Sequence, residues 1–115
     1  MHTVVETPAY LAAAADAGMS DADRERVVEA LASTPTAGVP MPGTGGCRKV
    51  RVAGRGKGKS GGYRVITLYS GASMPVFLLT VFSKGDRANL TKGERNALAA
   101  VARRIAATYR NEDRR

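Results

Sequence analysis

The chain has 115 residues, a formal net charge of +8 and a pI of about 10.3, and 43% of its residues are hydrophobic. This length suits one domain with a single modest core, and the hydrophobic content argues against general disorder. A single cysteine, Cys47, excludes an internal disulfide and a thiolate metal site. No run is long enough to span a membrane, so we expect a cytoplasmic protein without a membrane partner.

The first third of the chain predicts one short strand followed by two helices. Residues 2–6 contain two valines and are typical of a strand. Thr7 followed by Pro8 indicates a helix start, with threonine as the N-cap and proline at the first helical position. Ser20 or Asp21 caps a second helix, which ends before the prolines that follow it.

The remainder of the chain predicts a loop, three strands and a final helix. Residues 34–46 are rich in proline and glycine and are typical of a loop. Strand-like runs follow at residues 48–53, 63–69 and 75–82. Thr91 and Glu94 have the spacing of a capping box and open a helix. The order βαα-βββ-α predicts a single α+β domain over residues 1–115, with a small antiparallel sheet packed against helices.

The whole net charge lies in a stretch without acidic residues, residues 30–85. Outside this stretch ten basic and ten acidic residues cancel. The basic residues inside it are Arg48, Lys49, Arg51, Arg55, Lys57, Lys59, Arg64 and Lys84. Such a concentration of cations attracts a polyanion, so the leading expectation is a nucleic-acid partner.

Three of these cations are expected to lie side by side. Lys49 and Arg51 alternate along one strand and share a face, and Arg64 lies on the neighbouring strand. Like charges about 5 Å apart repel unless an anion lies between them. The strands therefore predict a phosphate-binding face. The alternative is a solvated hairpin tip whose lysines are merely exposed.

The glycine-rich run AGRGKGKS, residues 53–60, fits a relaxed phosphate-loop pattern. In a nucleotide-binding loop the lysine and serine must open a helix, whose N-terminus supplies N–H groups to the phosphate. Here a strand begins at Tyr63 instead, and no downstream apolar strand ends in an aspartate that could hold magnesium. The pattern therefore does not predict a nucleotide-binding site.

Any cleavage of a phosphodiester by this chain is expected to be free of metal and run by cations. The basic stretch offers no carboxylates as metal ligands, and His2 is the only histidine. An arginine can hold the phosphate bidentately, and a lysine crowded by cations has a lowered pKa and can transfer a proton. The nucleophile would be the RNA 2′-hydroxyl, which DNA lacks.

Other candidate groups have two interpretations each. Cys47 lies near the cations and could be a nucleophile, but a buried or incidental thiol is the favoured interpretation because no histidine partner is evident. Tyr63, Tyr69 and Tyr109 could stack a base, and Tyr63 and Tyr69 could equally pack in the core because they share a strand face.

Several motifs in order resemble the RelE/HigB-like toxins of bacterial type II toxin–antitoxin systems. They are PGTGGCRKVR at residues 42–51, GKSGGYRVI at 58–66, and FLLTVFSK at 77–84 followed by the Leu90-Thr91 start of the last helix. The resemblance implies a fold like that of microbial RNases and an enzyme that cuts mRNA in the ribosomal A site without a metal or other cofactor. It also implies neutralisation by a cognate antitoxin that is acidic or carries a helix-turn-helix domain.

By position, the resemblance implies catalytic roles for Lys57, Lys59, Arg64 and Lys84 and RNA binding by Arg48, Lys49, Arg51 and Arg55. Arg64 would clamp the phosphate, and a loop lysine would transfer a proton.

One departure keeps other functions open. Many relatives carry tyrosine two residues before the last lysine, where this chain has Phe82. The alternatives are a toxin resembling the ParE branch, which inhibits DNA gyrase, and a non-catalytic module that only binds nucleic acid or its partner.

Overall fold

The computed structural model describes residues 1–54, 62–71, 73–83 and 89–113. Its elements in chain order are β1 (Val4–Glu6), α1 (Pro8–Asp16), α2 (Asp21–Ser33), β2 (Val39–Pro40), β3 (Cys47–Val52), β4 (Tyr63–Leu68), β5 (Val76–Ser83) and α3 (Lys92–Asp113). The predicted α+β class is confirmed. The strand at Tyr63 also begins where the phosphate-loop pattern would have required a helix.

The three helix starts form as their local sequences dictate. The Thr7 hydroxyl accepts a hydrogen bond from the backbone of the first turn of α1, at 3.1 Å. Ser20 is the N-cap of α2 and forms a reciprocal capping box with Asp23, with N···O distances of 3.0 and 3.2 Å. Thr91 and Glu94 form the same arrangement at α3, at 3.1 and 2.9 Å. These bonds satisfy N–H groups that have no partner inside the helix.

The strands form one sheet in the order β1-β5-β4-β3-β2. As predicted, β3, β4 and β5 are antiparallel neighbours. The sheet is mixed, however, because β1 pairs with β5 in parallel, with Val4 opposite Val76. Parallel strands require a long connection, and here the two helices and the intervening strands supply it. The Thr7 side chain continues this pairing by donating to the Leu78 carbonyl at 2.7 Å.

The short strand β2 lies inside the segment that the sequence predicts as a loop. Val39 pairs with Lys49 and Pro40 with Arg48, so β2 forms the edge of the sheet beside β3. Proline is tolerated there because an edge strand leaves some N–H groups unused. Two residues are too few to show an alternating pattern, which is why the sequence does not reveal this strand.

Helices cover both faces of the sheet. Val50, Val65 and Val81 belong to one core cluster with Tyr10 and Leu31 of the first two helices. The opposite cluster contains side chains of the same strands together with α3, namely Cys47, Ile66, Leu68, Met74, Phe77, Leu79, Phe82 and Ala102. The alternation of side chains along a strand therefore decides whether a residue faces the α1–α2 layer or α3.

The last helix, α3, packs on its face of the sheet through buried alanines and half-buried Leu98, Val101 and Ile105. Ala99 and Ala102 are buried, whereas Arg103 and Arg104 on the other side of the helix are exposed. Within the described part of the chain, no helix combines the length and the apolar character needed to cross a membrane.

Candidate nucleic-acid interface

Arg64 is the centre of the candidate site. It is the second residue of β4, opposite Arg51 in β3 and Phe82 in β5, and all three side chains lie on the α3 face of the sheet. Only 8% of Arg64 is exposed to solvent. Its Nη1 atom is buried, and no hydrogen-bond partner accepts from it in the described part of the chain. A buried guanidinium donor without an acceptor is costly unless a ligand supplies one.

The charge of Arg64 also has no acidic partner among the described residues. Burial lowers the pKa of its guanidinium, and the nearby positive charge of Arg51 lowers it further. Among the described residues the salt bridges lie elsewhere, joining Arg24 and Arg26 to carboxylates of β1 and α2. The predicted repulsion between cations on neighbouring strands is therefore present, and an anion would relieve it.

A groove of about 440 Å³ gives access to these cations. Its lining is Gly38, Val39, Lys49, Arg51 and Arg64, so the edge strand β2 forms one wall. Gly38 has a φ of +97°, and a Cβ there would lie 2.6 Å from the Lys49 carbonyl oxygen. The wall can approach β3 this closely only because residue 38 is glycine. The sequence predicts a loop here and does not reveal this wall of the site. The glycine and proline at positions 38 and 40 are the only features of the sequence that mark it.

The structure brings together three of the eight predicted site residues, namely Lys49, Arg51 and Arg64. Arg48 points to the opposite face of β3, and its Nη1 atom donates to the Thr36 carbonyl at 3.2 Å. The predicted catalytic residues Lys57, Lys59 and Lys84 and the predicted RNA contact Arg55 lie outside the described residues. Their roles stay predictions.

Two of the candidate tyrosines lie on the other side of the sheet from Arg64. Tyr63 is buried in the α1–α2 core, and its hydroxyl donates to Asp23 at 3.4 Å. Tyr69 packs against the same core and makes an edge-to-face contact with His2, with ring centroids 4.9 Å apart. The core-packing interpretation of these two tyrosines is therefore confirmed.

Tyr109 also lies away from the cations. Its ring contacts Phe77 at a centroid distance of 5.6 Å. Phe77 pairs with Leu68, which is four residues and roughly 13 Å along β4 from Arg64. Consequently none of these three tyrosines takes the place of the hydroxyl missing at Phe82.

The two remaining candidate groups have structural roles. The His2 ring bonds through Nε2 to the Met74 carbonyl at 2.7 Å. Cys47 is buried, and its Sγ donates to the Thr44 carbonyl at 3.6 Å. Burial raises the pKa of this thiol, so it is protonated near neutral pH and is a poor nucleophile. No cluster of three or more histidine, cysteine or acidic side chains suited to a metal ion occurs among the described residues.

The edge groove of this α+β fold is lined by Arg51 and by the buried Arg64, whose Nη1 atom has no acceptor among the described residues, and this arrangement is suited to bind an anion. A family model described as the RelE toxin of the RelE/RelB toxin–antitoxin system matches residues 13–113, which include every element from α2 to α3. The chain belongs to this RelE toxin family. It is accordingly a toxin of a toxin–antitoxin system, and its partner is an antitoxin.

Proposed function

We propose that this toxin is an endoribonuclease that cuts mRNA on the ribosome. The observation that supports this proposal most strongly is the state of Arg64. This buried cation lies beside Arg51, and the Nη1 atom of Arg64 lacks an acceptor among the described residues. A phosphodiester supplies both the negative charge and the acceptor oxygens that this guanidinium lacks.

The proposed reaction uses the substrate's own hydroxyl as nucleophile. The 2′-oxygen of one nucleotide attacks the adjacent phosphorus, and the bond from phosphorus to the 5′-oxygen of the next nucleotide breaks. A base takes the proton of the 2′-hydroxyl, and an acid gives a proton to the departing 5′-oxygen. The products are a 2′,3′-cyclic phosphate and a 5′-hydroxyl end. Arg64 and Arg51 stabilise the negative charge that builds on the phosphate oxygens.

Proton transfer is assigned to the lysines of the basic stretch. Lys57 and Lys59 follow β3, and Lys84 comes directly after β5. β3 and β5 are the neighbours of β4 on either side. In the chain, Lys57 and Lys59 come between β3 and β4, a few residues before Arg64. A lysine among other cations has a lowered pKa, which makes it a usable acid or base near neutral pH.

Phe82 supports a second candidate, a toxin that binds RNA or its antitoxin without cutting. Its side chain is buried opposite Arg64 and has no hydroxyl to offer as a base or orienting group. Both candidate functions use the groove at Arg64. They differ in whether the bound RNA is cut.

The test is a brief pulse of expression in bacteria followed by mapping of new 5′-hydroxyl RNA ends. We expect cuts confined to translated regions and phased to codons. Arg64→Gln should reduce them about a hundredfold or more, since removal of one charge-stabilising donor has an effect of this size. Arg24→Gln is the matched control, because Arg24 pairs with Glu6 in the layer across the sheet and should leave cutting unchanged.

Ribosome dependence is tested with purified toxin on translating ribosomes and on the same mRNA alone. Cuts only in the translated sample would support the proposal. Growth arrest with intact RNA would favour a gyrase-inhibiting toxin, and RNA binding without arrest or cuts would favour the binding-only candidate. Comparable cutting of the free mRNA would contradict ribosome dependence.

A further inference from the structure

A second groove continues from the arginine site along the edge of the sheet. It encloses about 450 Å³ and is lined by Val39, Pro40, Met41, Pro42, Lys49, Asn89, Leu90 and Arg95. Val39 and Lys49 also line the groove at Arg64, so the two grooves are neighbours at the edge of the sheet. Hereafter the first is called the phosphate groove and the second the side groove.

The side groove differs in chemistry from the phosphate groove. Residues 40–42, with the sequence Pro-Met-Pro, form an apolar wall, and half-buried Leu90 adds apolar surface. Arg95 and Asn89 add a guanidinium plane and an amide. The volume lies within the range of about 300–1,000 Å³ that is usual for small-ligand sites. Apolar surface with one cationic plane and one amide suits a flat heteroaromatic ring with a polar edge.

The exposed side-chain amide of Asn89 forms a hydrogen bond with Lys49. Lys49 donates from Nζ to the Asn89 Oδ1 atom at 3.2 Å, which places the amide oxygen toward Lys49. Its Nδ2 group is then directed away from that lysine, and in the described part of the chain it has no hydrogen-bond acceptor. The oxygen can still accept a second hydrogen bond. A side-chain amide with an available donor and acceptor can form two hydrogen bonds with the edge of a nucleobase. Adenine is the base that such an amide usually binds.

We propose that the side groove binds the base of the nucleotide next to the phosphate held by Arg64, and that Asn89 determines the base preferred there. The inference rests on the proposed RNA substrate. Lys49 connects the two grooves because it lines both and bonds to Asn89. Adenine is the expected preference, with its ring against the Pro-Met-Pro wall and Arg95.

The experiment compares the cleavage sites of the wild-type toxin, Asn89→Leu and Asn96→Ala on the same translated mRNAs. Leucine keeps the size of asparagine and removes its donor and acceptor. We expect a preference for adenine at one position flanking the cut, and an approximately tenfold loss of that preference in Asn89→Leu. Asn96 is the matched control, an exposed amide of α3 that does not line the groove. The variant Asn96→Ala should keep the wild-type preference.

A binding measurement separates this inference from the proposed nuclease activity. Fluorescence anisotropy at fixed salt compares short single-stranded RNAs that differ by one adenine-to-uracil change. If the wild type cuts and Asn89→Leu keeps the same base profile, the inference is overturned and the nuclease stands. If nothing is cut but Asn89→Leu loses adenine discrimination in binding, the nuclease fails and the inference stands. Equal binding of all RNAs by the wild type would overturn the inference directly.

Discussion

At the scale of single residues, the burial of Arg64 lowers the stability of the fold. A charged group with 8% exposure has lost most of its hydration, and its cross-strand neighbour in β3 is another arginine. Burial of charge lowers stability unless partners compensate for it, and replacement by an apolar residue of similar size is often neutral or stabilising. The retention of an arginine here is therefore better explained by a ligand than by folding.

This reasoning predicts that Arg64→Met increases the free energy of unfolding, by roughly 1 kcal/mol, while it removes RNA binding at the phosphate groove. Methionine fills much of the same space without the charge. Urea denaturation at pH 7 measures the change. Arg24→Met serves as the comparison and should not stabilise, because it removes an ion pair with Glu6 at 2.9 Å. A marked loss of stability in Arg64→Met would mean that Arg64 has a structural partner.

At the scale of secondary-structure elements, a buried carboxylate joins α2 to the strand that carries Arg64. Asp23 is 6% exposed, completes the N-terminal capping box of α2 and pairs with Arg26 in the next turn. It also accepts the hydroxyl hydrogen bond of Tyr63, the residue directly before Arg64. One side chain thus stabilises the start of a helix and fixes that helix against the start of β4.

Asp23→Ala is accordingly expected to lower the free energy of unfolding by about 3 kcal/mol, since it leaves buried polar groups without their partner. Asp21→Ala is the matched control in the same first turn. The Asp21 carboxylate is 97% exposed and forms only a 3.4 Å surface ion pair, so its loss should change stability by less than about 1 kcal/mol. Thermal and urea denaturation measure both. Equal effects would contradict a special role for Asp23.

At the scale of the whole molecule, the charges are segregated. The described salt bridges lie in β1 and α2, on the layer across the sheet from the phosphate groove. The net charge of +8 lies in the acid-free stretch, residues 30–85. Of the eight cations in that stretch, Lys49, Arg51 and Arg64 are described on the α3 face, and such a concentration of positive charge attracts a polyanion.

Binding to single-stranded RNA is therefore expected to weaken steeply with salt, by a log–log slope of about 0.7 for each phosphate neutralised. Arg51→Gln should reduce the slope by about one such step because Arg51 lines the phosphate groove. Arg24→Gln should leave the slope unchanged. Affinity titrations between low and physiological salt measure it, and a flat response in the wild type would refute the phosphate groove.

The sequence by itself determined the helices, the central strands and the charge of the site. Helix caps such as Ser20 with Asp23 act over three residues, so their pattern is readable locally. The alternation in β3 likewise placed Lys49 and Arg51 on one face, and the acid-free stretch predicts a polyanion as their ligand.

Only the tertiary structure decided which residues meet across the sheet. The parallel pairing of β1 with β5, the β2 wall and the Lys49–Asn89 bond join residues between 8 and 72 positions apart. Such contacts depend on how the helices and strands pack, and no local pattern encodes them. Arg48, adjacent to Lys49 in the chain, lies on the opposite face, and only the tertiary structure shows that it donates to the Thr36 carbonyl. Successive side chains of a strand point to opposite faces of the sheet. A run of cations in the sequence therefore forms a site only where neighbouring strands place cations side by side on the same face.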